Sequence, residues 1–151
     1  MNPPPSTSSD VEEKTEVIYG IENIIQRTLE CFSSARIKID SCVDALNPLT
    51  TMTTKPIVDA IIELKKRGVR SRLITEITRD NLDACKEIMK ITTEVRHLDE
   101  VKGNFSILDG AIYEATMIGN FLISNEVSIP VPPKIDTQLL SLLLIPFYSD
   151  I

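Results

Sequence analysis

The sequence predicts an α/β domain: a mixed, mostly parallel sheet flanked by helices. Two patterns carry that expectation. Short alternating runs recur between amphipathic segments of helical period, an order that implies right-handed crossovers and parallel strands. Late in the chain, two further alternating runs meet at Asp109-Gly110, a dipeptide that favours a tight hairpin and so adds antiparallel strands.

The elements follow in order. From Glu16 to about Ser34, Val17, Ile21, Ile24, Ile25, Thr28, Leu29 and Phe32 fall on one helical face, with Thr15 as the expected N-cap. Arg36 to Val43 alternates and reads as a strand, with Ile37, Ile39, Ser41 and Val43 on one face. Asp44 to Thr54, with Asn47-Pro48 and a threonine cluster, reads as a loop. Pro56 to Arg67 is a second helix, started by proline and stopped by Gly68, with Lys65, Lys66 and Arg67 at the negative end of its dipole. Val69 to Thr75 is the second strand. Asp80 to Ile91 is a third helix, capped by Thr78 or Asp80, and Thr93 to Leu98 is the third strand. Val101 to Gly103 turns the chain into the hairpin of Asn104–Leu108 and Ala111–Met117.

Composition narrows the function. A chain of 151 residues, 42% hydrophobic and 25% charged, suits one domain and is too short for a sensor, a linker and a kinase core together. Sixteen Lys and Arg against 22 Asp and Glu give a net charge of -6, which argues against a nucleic-acid partner. No Trp and 5% aromatic residues argue against stacking on single strands. Seven of the nine prolines gather at the two ends, with only Pro48 and Pro56 between them, which marks residues 1–14 as a disordered head and about 15–118 as the domain. Cys31, Cys42 and Cys85 form no CxxC pair, and His97 is the only histidine, so no metal and no cofactor are expected. No secretory signal or bilayer-length apolar run is read, and the expected location is cytoplasmic.

In open α/β sheets, ligands sit beyond the carboxyl ends of the strands. Polar residues collect there: Asp40 and Cys42 near the end of the first strand, Thr75, Glu76, Thr78, Arg79 and Asn81 after the second, and His97 at the end of the third. These eight are the candidate ligand-binding residues. No nucleophile elbow, dinucleotide fingerprint or P-loop accompanies them.

The segments Thr15–Gly20, Lys38–Cys42, Lys66–Arg70, Leu73–Asn81 and Arg96–Phe105 resemble the N-terminal input domain of archaeal sensor histidine kinases, over about residues 15 to 116. The resemblance implies a phospholipase D-like fold. That superfamily's H-x-K-x4-D motif aligns with Lys102, Asn104 and Asp109, so the nucleophilic His and the phosphate-holding Lys are replaced and only the Asp remains. The resemblance therefore implies a non-catalytic sensory or regulatory input domain of a histidine-kinase pathway. Its partner would be a small ligand or a signalling protein, and it could form a homodimer. The alternatives are a phosphodiester hydrolase with a degenerate motif and a truncated, non-functional product. Residues 119–151 depart from the family and read as a divergent, or frameshifted, Pro/Leu-rich tail. No kinase H-box or ATP-binding glycine motif is present in the sequence, so the chain has no kinase activity of its own.

Overall fold

Gly20 decides where the first helix begins. Its φ of 89° is open to glycine and closed to a helix, so the chain turns there and α1 runs Ile21–Ser34. The helix expected from Glu16 is thus shorter. The computed structural model describes residues 16–116. The expected cap Thr15, the head and the tail beyond residue 118 lie outside them.

After α1 come β1 (Lys38–Val43), α2 (Asn47–Thr53), α3 (Lys55–Lys66), β2 (Arg70–Thr75), α4 (Leu82–Ile91), β3 (Glu94–His97), β4 (Asn104–Leu108) and β5 (Ile112–Thr116). The helix α2 replaces an expected loop. Pro48 sits in its first turn, where a missing N–H is harmless. The Asp44 carboxylate accepts the backbone N–H groups of Leu46 and Asn47, each at 3.0 Å, and so starts the turn. Threonines that read as loop residues direct their hydroxyls back to helix carbonyls, as Thr54 does to Thr50 at 2.8 Å.

The sheet order is β3-β2-β1-β4-β5. β1, β2 and β3 are parallel, β4 runs antiparallel to β1, and β5 antiparallel to β4. The sheet is mixed, with two parallel and two antiparallel pairings rather than a mostly parallel set, and the described helices flank it on one face. One core joins Cys31 and Ala35 at the end of α1 to Ile39, Leu64 and Leu108, and another joins Val43 and Leu73 to Ile88. The opposite face buries Cys42 and Ile74 beneath Leu98, Val101, Phe105 and Ile107. Burying a side chain such as Ile74 or Leu64 contributes about 2–3 kcal/mol.

One device closes α3 at its C-terminal end and a second ties that end to α1. Gly68, at φ 77°, closes α3 with bonds from Gly68 N–H to Lys65 C=O and from Val69 N–H to Leu64 C=O. Arg67 then donates to the carbonyls of Ser33 (2.9 Å) and Phe32 (2.7 Å), which α1 leaves unpaired at its own end.

Candidate functional site

The eight strand-end candidates do not form one open site. Asp40 is buried and pairs with the buried Arg72 at 2.5 Å, with Lys38 at 3.4 Å on its other side. Cys42 is buried, and burial pushes its thiol up, away from the reactive thiolate. Thr75 is fully buried and donates to the Asp44 carbonyl at 3.1 Å. Asn81, also fully buried, acts as a clamp on three segments. It donates to the carbonyls of Ala45 and Glu76, each at 2.8 Å, and accepts from the Thr78 N–H at 2.8 Å. The Nδ1 of His97 accepts the Ile77 N–H at 2.9 Å, which leaves Nε2 for the Asp99 carboxylate at 2.9 Å. These groups fasten the loops at the strand ends. Of the eight, the exposed Arg79 and the half-buried Glu76 have side chains with no hydrogen bond or ion pair to another described residue, as does the buried Cys42 thiol.

The degenerate motif is likewise built into the fold. Both oxygens of Asp109 accept backbone N–H groups from the α1–β1 connection: Arg36 at 2.8 Å, Ile37 at 2.8 Å and Lys38 at 2.9 Å. The bond from Lys38 foremost, then those from Arg36 and Ile37, hold its carboxyl below the usual carboxylate range. Asn104 exchanges bonds with Asp44, accepting its N–H at 3.2 Å and donating to its carboxylate at 3.0 Å. Lys102 is exposed. None of the three converges on a place where a phosphodiester could be held in line for attack, which corrects the hydrolase alternative.

The structure instead presents a cleft that the sequence reading did not single out. It lies between α1 on one side and α2 and α3 on the other, with the sheet as its floor, and has a volume of about 280 Å³. The walls given by α1 and α3 are apolar, Ile24 and Ile25 from the one and Ile57 and Ile61 from the other, while α2 adds Asn47, Thr50 and Thr51. The floor sets serines beside Ile39, Val43 and Leu73. Ser41, Ser71 and Ser106 occupy helix-facing positions of the sheet. The Oγ atoms of Ser41 and Ser106 lie 2.7 Å apart, and Thr28 of α1 donates to Glu114 of β5 at 3.1 Å. The hydroxyl of Ser71 is buried with no partner among the described residues. Burial raises the Glu114 carboxyl above the usual range, against the opposing pull of the Thr28 hydrogen bond and of Arg27. None of the eight strand-end candidates lines this cleft.

No family model and no curated protein matches the chain. Among solved structures it is similar to TrmBL2, an archaeal chromatin protein whose structure is described as showing a novel mode of DNA binding. The TM-score is 0.44 at 22% identity, over 68% of this chain and 39% of that one. The comparison thus returns an archaeal chromatin protein where the sequence resemblance placed a histidine-kinase input domain of phospholipase D-like fold. Both of those assignments are corrected, and with them the kinase relatives, the signalling function and the exclusion of nucleic acid as a partner. This chain spans well under half of TrmBL2, and the functional reading below rests on geometry alone. No helix of the described residues is long and apolar enough to cross a membrane, and no cluster of metal-ligating side chains occurs among them.

The signal for the cleft was present in the strands. A helix-facing strand position in a packed domain normally carries Val, Ile or Leu. Serine there leaves volume unfilled and a hydroxyl beneath apolar helices. Three such serines on three neighbouring strands mark a gap, but their adjacency depends on the register that pairs Ser41 with Ser106 and Ser71 with Ile39.

Proposed function

We propose that this domain binds a compact, largely apolar small molecule in the cleft between α1 and α3. The carrying observation is the buried Ser71 hydroxyl, which has no partner among the described residues and belongs to a residue lining a mostly apolar space. Leaving a buried hydroxyl unpaired costs about 1–3 kcal/mol, and a ligand that pairs with it recovers that cost. A concave cleft lined mostly by apolar side chains with a few polar groups is the usual form of a small-molecule site. A cavity of about 150 Å³ lined by apolar residues accepts benzene, so this cleft suits a ligand of roughly ten non-hydrogen atoms. The mouth faces solvent at Ile21, which is 57% exposed, while Ile39, Leu64 and Ile88 close the interior. A cytoplasmic setting accords with three buried cysteines that are all free thiols.

The test is thermal unfolding of the full chain with neutral aromatic probes such as indole and 2-phenylethanol. A probe at about a hundred times its Kd raises stability by about 2.7 kcal/mol, a shift of roughly 10 °C or more for a domain of this size. Ile25→Trp, at the half-buried mouth, should fill the cleft and abolish the shift while far-UV circular dichroism stays native. Absence of stabilisation by any neutral probe, or an undiminished shift in folded Ile25→Trp, would overturn the proposal.

A further inference from the structure

The cleft has one wall of different chemistry, at the boundary of α1 with β4 and β5. Glu114 stands directly opposite Ser106 in the β4–β5 register, on the helix-facing side. Ser106 touches Ser41 through its hydroxyl, and Thr28 reaches Glu114 from the helix above. Directly opposed positions place side chains about 5 Å apart. The carboxylate and three hydroxyls therefore form an oxygen-rich corner opening onto an apolar space.

The charge of that corner is uncompensated. Glu114 and Arg72 are the charged residues among those lining the cleft, and Arg72 pairs with Asp40. Arg27, the nearest cation of α1 to act on Glu114, makes its ion pairs with Glu16 at 3.2 Å and Glu30 at 3.3 Å. Among the described residues no cation lies within ion-pair distance of Glu114. A part-buried carboxylate without a cation is costly, and a desolvated cation placed beside it relieves that cost. An ammonium carries three donors and no acceptor, which matches a corner made of a carboxylate and hydroxyl oxygens. An anionic ligand would meet repulsion at the same place.

We infer that the cleft is specific for a small amphipathic amine, with its ammonium in the corner of Glu114, Thr28, Ser106 and Ser41 and its apolar body between the α1 and α3 isoleucines. This rests on the reading of the cleft as a ligand site and adds the class of ligand it takes.

Three probes of similar body separate the charges: 2-phenylethylamine, 2-phenylethanol and 3-phenylpropionate. They are titrated calorimetrically into the full chain and into Glu114→Gln, at one moderate salt concentration. The amine should bind at least tenfold more tightly than the alcohol, and the propionate most weakly. Glu114→Gln should reduce the amine to the level of the alcohol while leaving alcohol binding within about twofold. Glu63→Gln, an exposed position on α3, makes the same change in net charge and should leave the amine preference intact, which separates a local corner from general attraction to an acidic protein. If the alcohol binds and the amine binds no better, or if the preference survives Glu114→Gln or falls equally in Glu63→Gln, the amine specificity is overturned and the cleft reading stands. If none of the three probes binds, both fall.

Discussion

Removing the Asp109 carboxylate should cost this small domain a large part of its stability. Its two oxygens take three backbone N–H groups of the α1–β1 connection, at 2.8, 2.8 and 2.9 Å, from residues more than seventy positions earlier in the chain. The bonds are charge-assisted but open to water, so each is taken near the low end of the range, about 0.5–1 kcal/mol. Together they contribute about 1.5–3 kcal/mol. Asp109 also sits at φ 54°, a conformation that Asp tolerates and Ala does not, worth about another 1 kcal/mol. Asp109→Ala should therefore lose about 3 kcal/mol in urea unfolding followed by far-UV circular dichroism. Asp109→Gly separates the terms, because glycine adopts that φ freely and the bonds are still lost; about 2 kcal/mol should go. Asp109→Asn keeps an oxygen for Ile37 and Lys38, forfeits the charge and presents a donor to the Arg36 N–H, and should fall between wild type and glycine. The bonds depress the folded-state carboxyl, so the contribution is complete above the unfolded-state value and disappears as pH falls through the folded-state one. The gap between wild type and Asp109→Gly should narrow on acidification below the ordinary value of 3.8. A glycine variant within about 0.5 kcal/mol of wild type at neutral pH would refute the assignment, since the backbone contacts would then contribute nothing.

Three further outcomes follow from the same geometry. Asp40→Ala removes the carboxylate that the buried Arg72 guanidinium pairs with and should cost about 3 kcal/mol in urea unfolding, whereas Asp40→Leu combined with Arg72→Met should cost less than either single change. Asn81→Ala unfastens the loops after β1 and β2 and should cost about 3 kcal/mol; Asn81→Asp, which keeps the acceptor and loses both donors, should recover only part of it in the same assay. Glu114→Gln should raise the melting temperature at neutral pH. Burial favours the protonated carboxyl in the folded state, so wild type should gain stability as pH falls toward and through the ordinary value of 4.5, and a melting series across that range should show no such gain in the variant.

The regular elements were legible because their signals are local. The Asp109-Gly110 hairpin, the stop at Gly68 and the alternation through Lys38–Val43 each depend on a few adjacent residues. Asn47–Thr53 was missed because Asn-Pro and threonines favour loops on average, and only the Asp44 carboxylate and hydroxyl bonds to nearby carbonyls make them helical. The site was the least legible part. Polar residues at strand ends are equally the material of a ligand crevice and of loop fastening, and Thr75 and Asn81 are buried and fasten loops. The cleft depends on what helix-facing strand positions lack, which sequence shows only when strand order is known. Lys102, Asn104 and Asp109 matched a motif by spacing while their partners, Asp44 for Asn104 and the Arg36–Lys38 backbone for Asp109, lie far away in sequence.

The position of β1 in the middle of the sheet also governs the order in which the molecule can assemble. Its parallel neighbour β2 follows after one crossover, with Asp40 facing Arg72, but its antiparallel neighbour is drawn from much later, with Asp40 facing Ile107. During synthesis that second edge of β1 waits, unpaired, until the final hairpin has emerged. The added entropy of closing the longer loop is modest, since each doubling of length costs only about 0.6 kcal/mol. The exposure in time is what matters, because an unpaired strand edge invites pairing with another chain. A nascent or truncated chain ending before Asn104 would carry that open edge permanently, and aggregation of such fragments would be a kinetic consequence of strand order rather than of any weak contact in the finished fold.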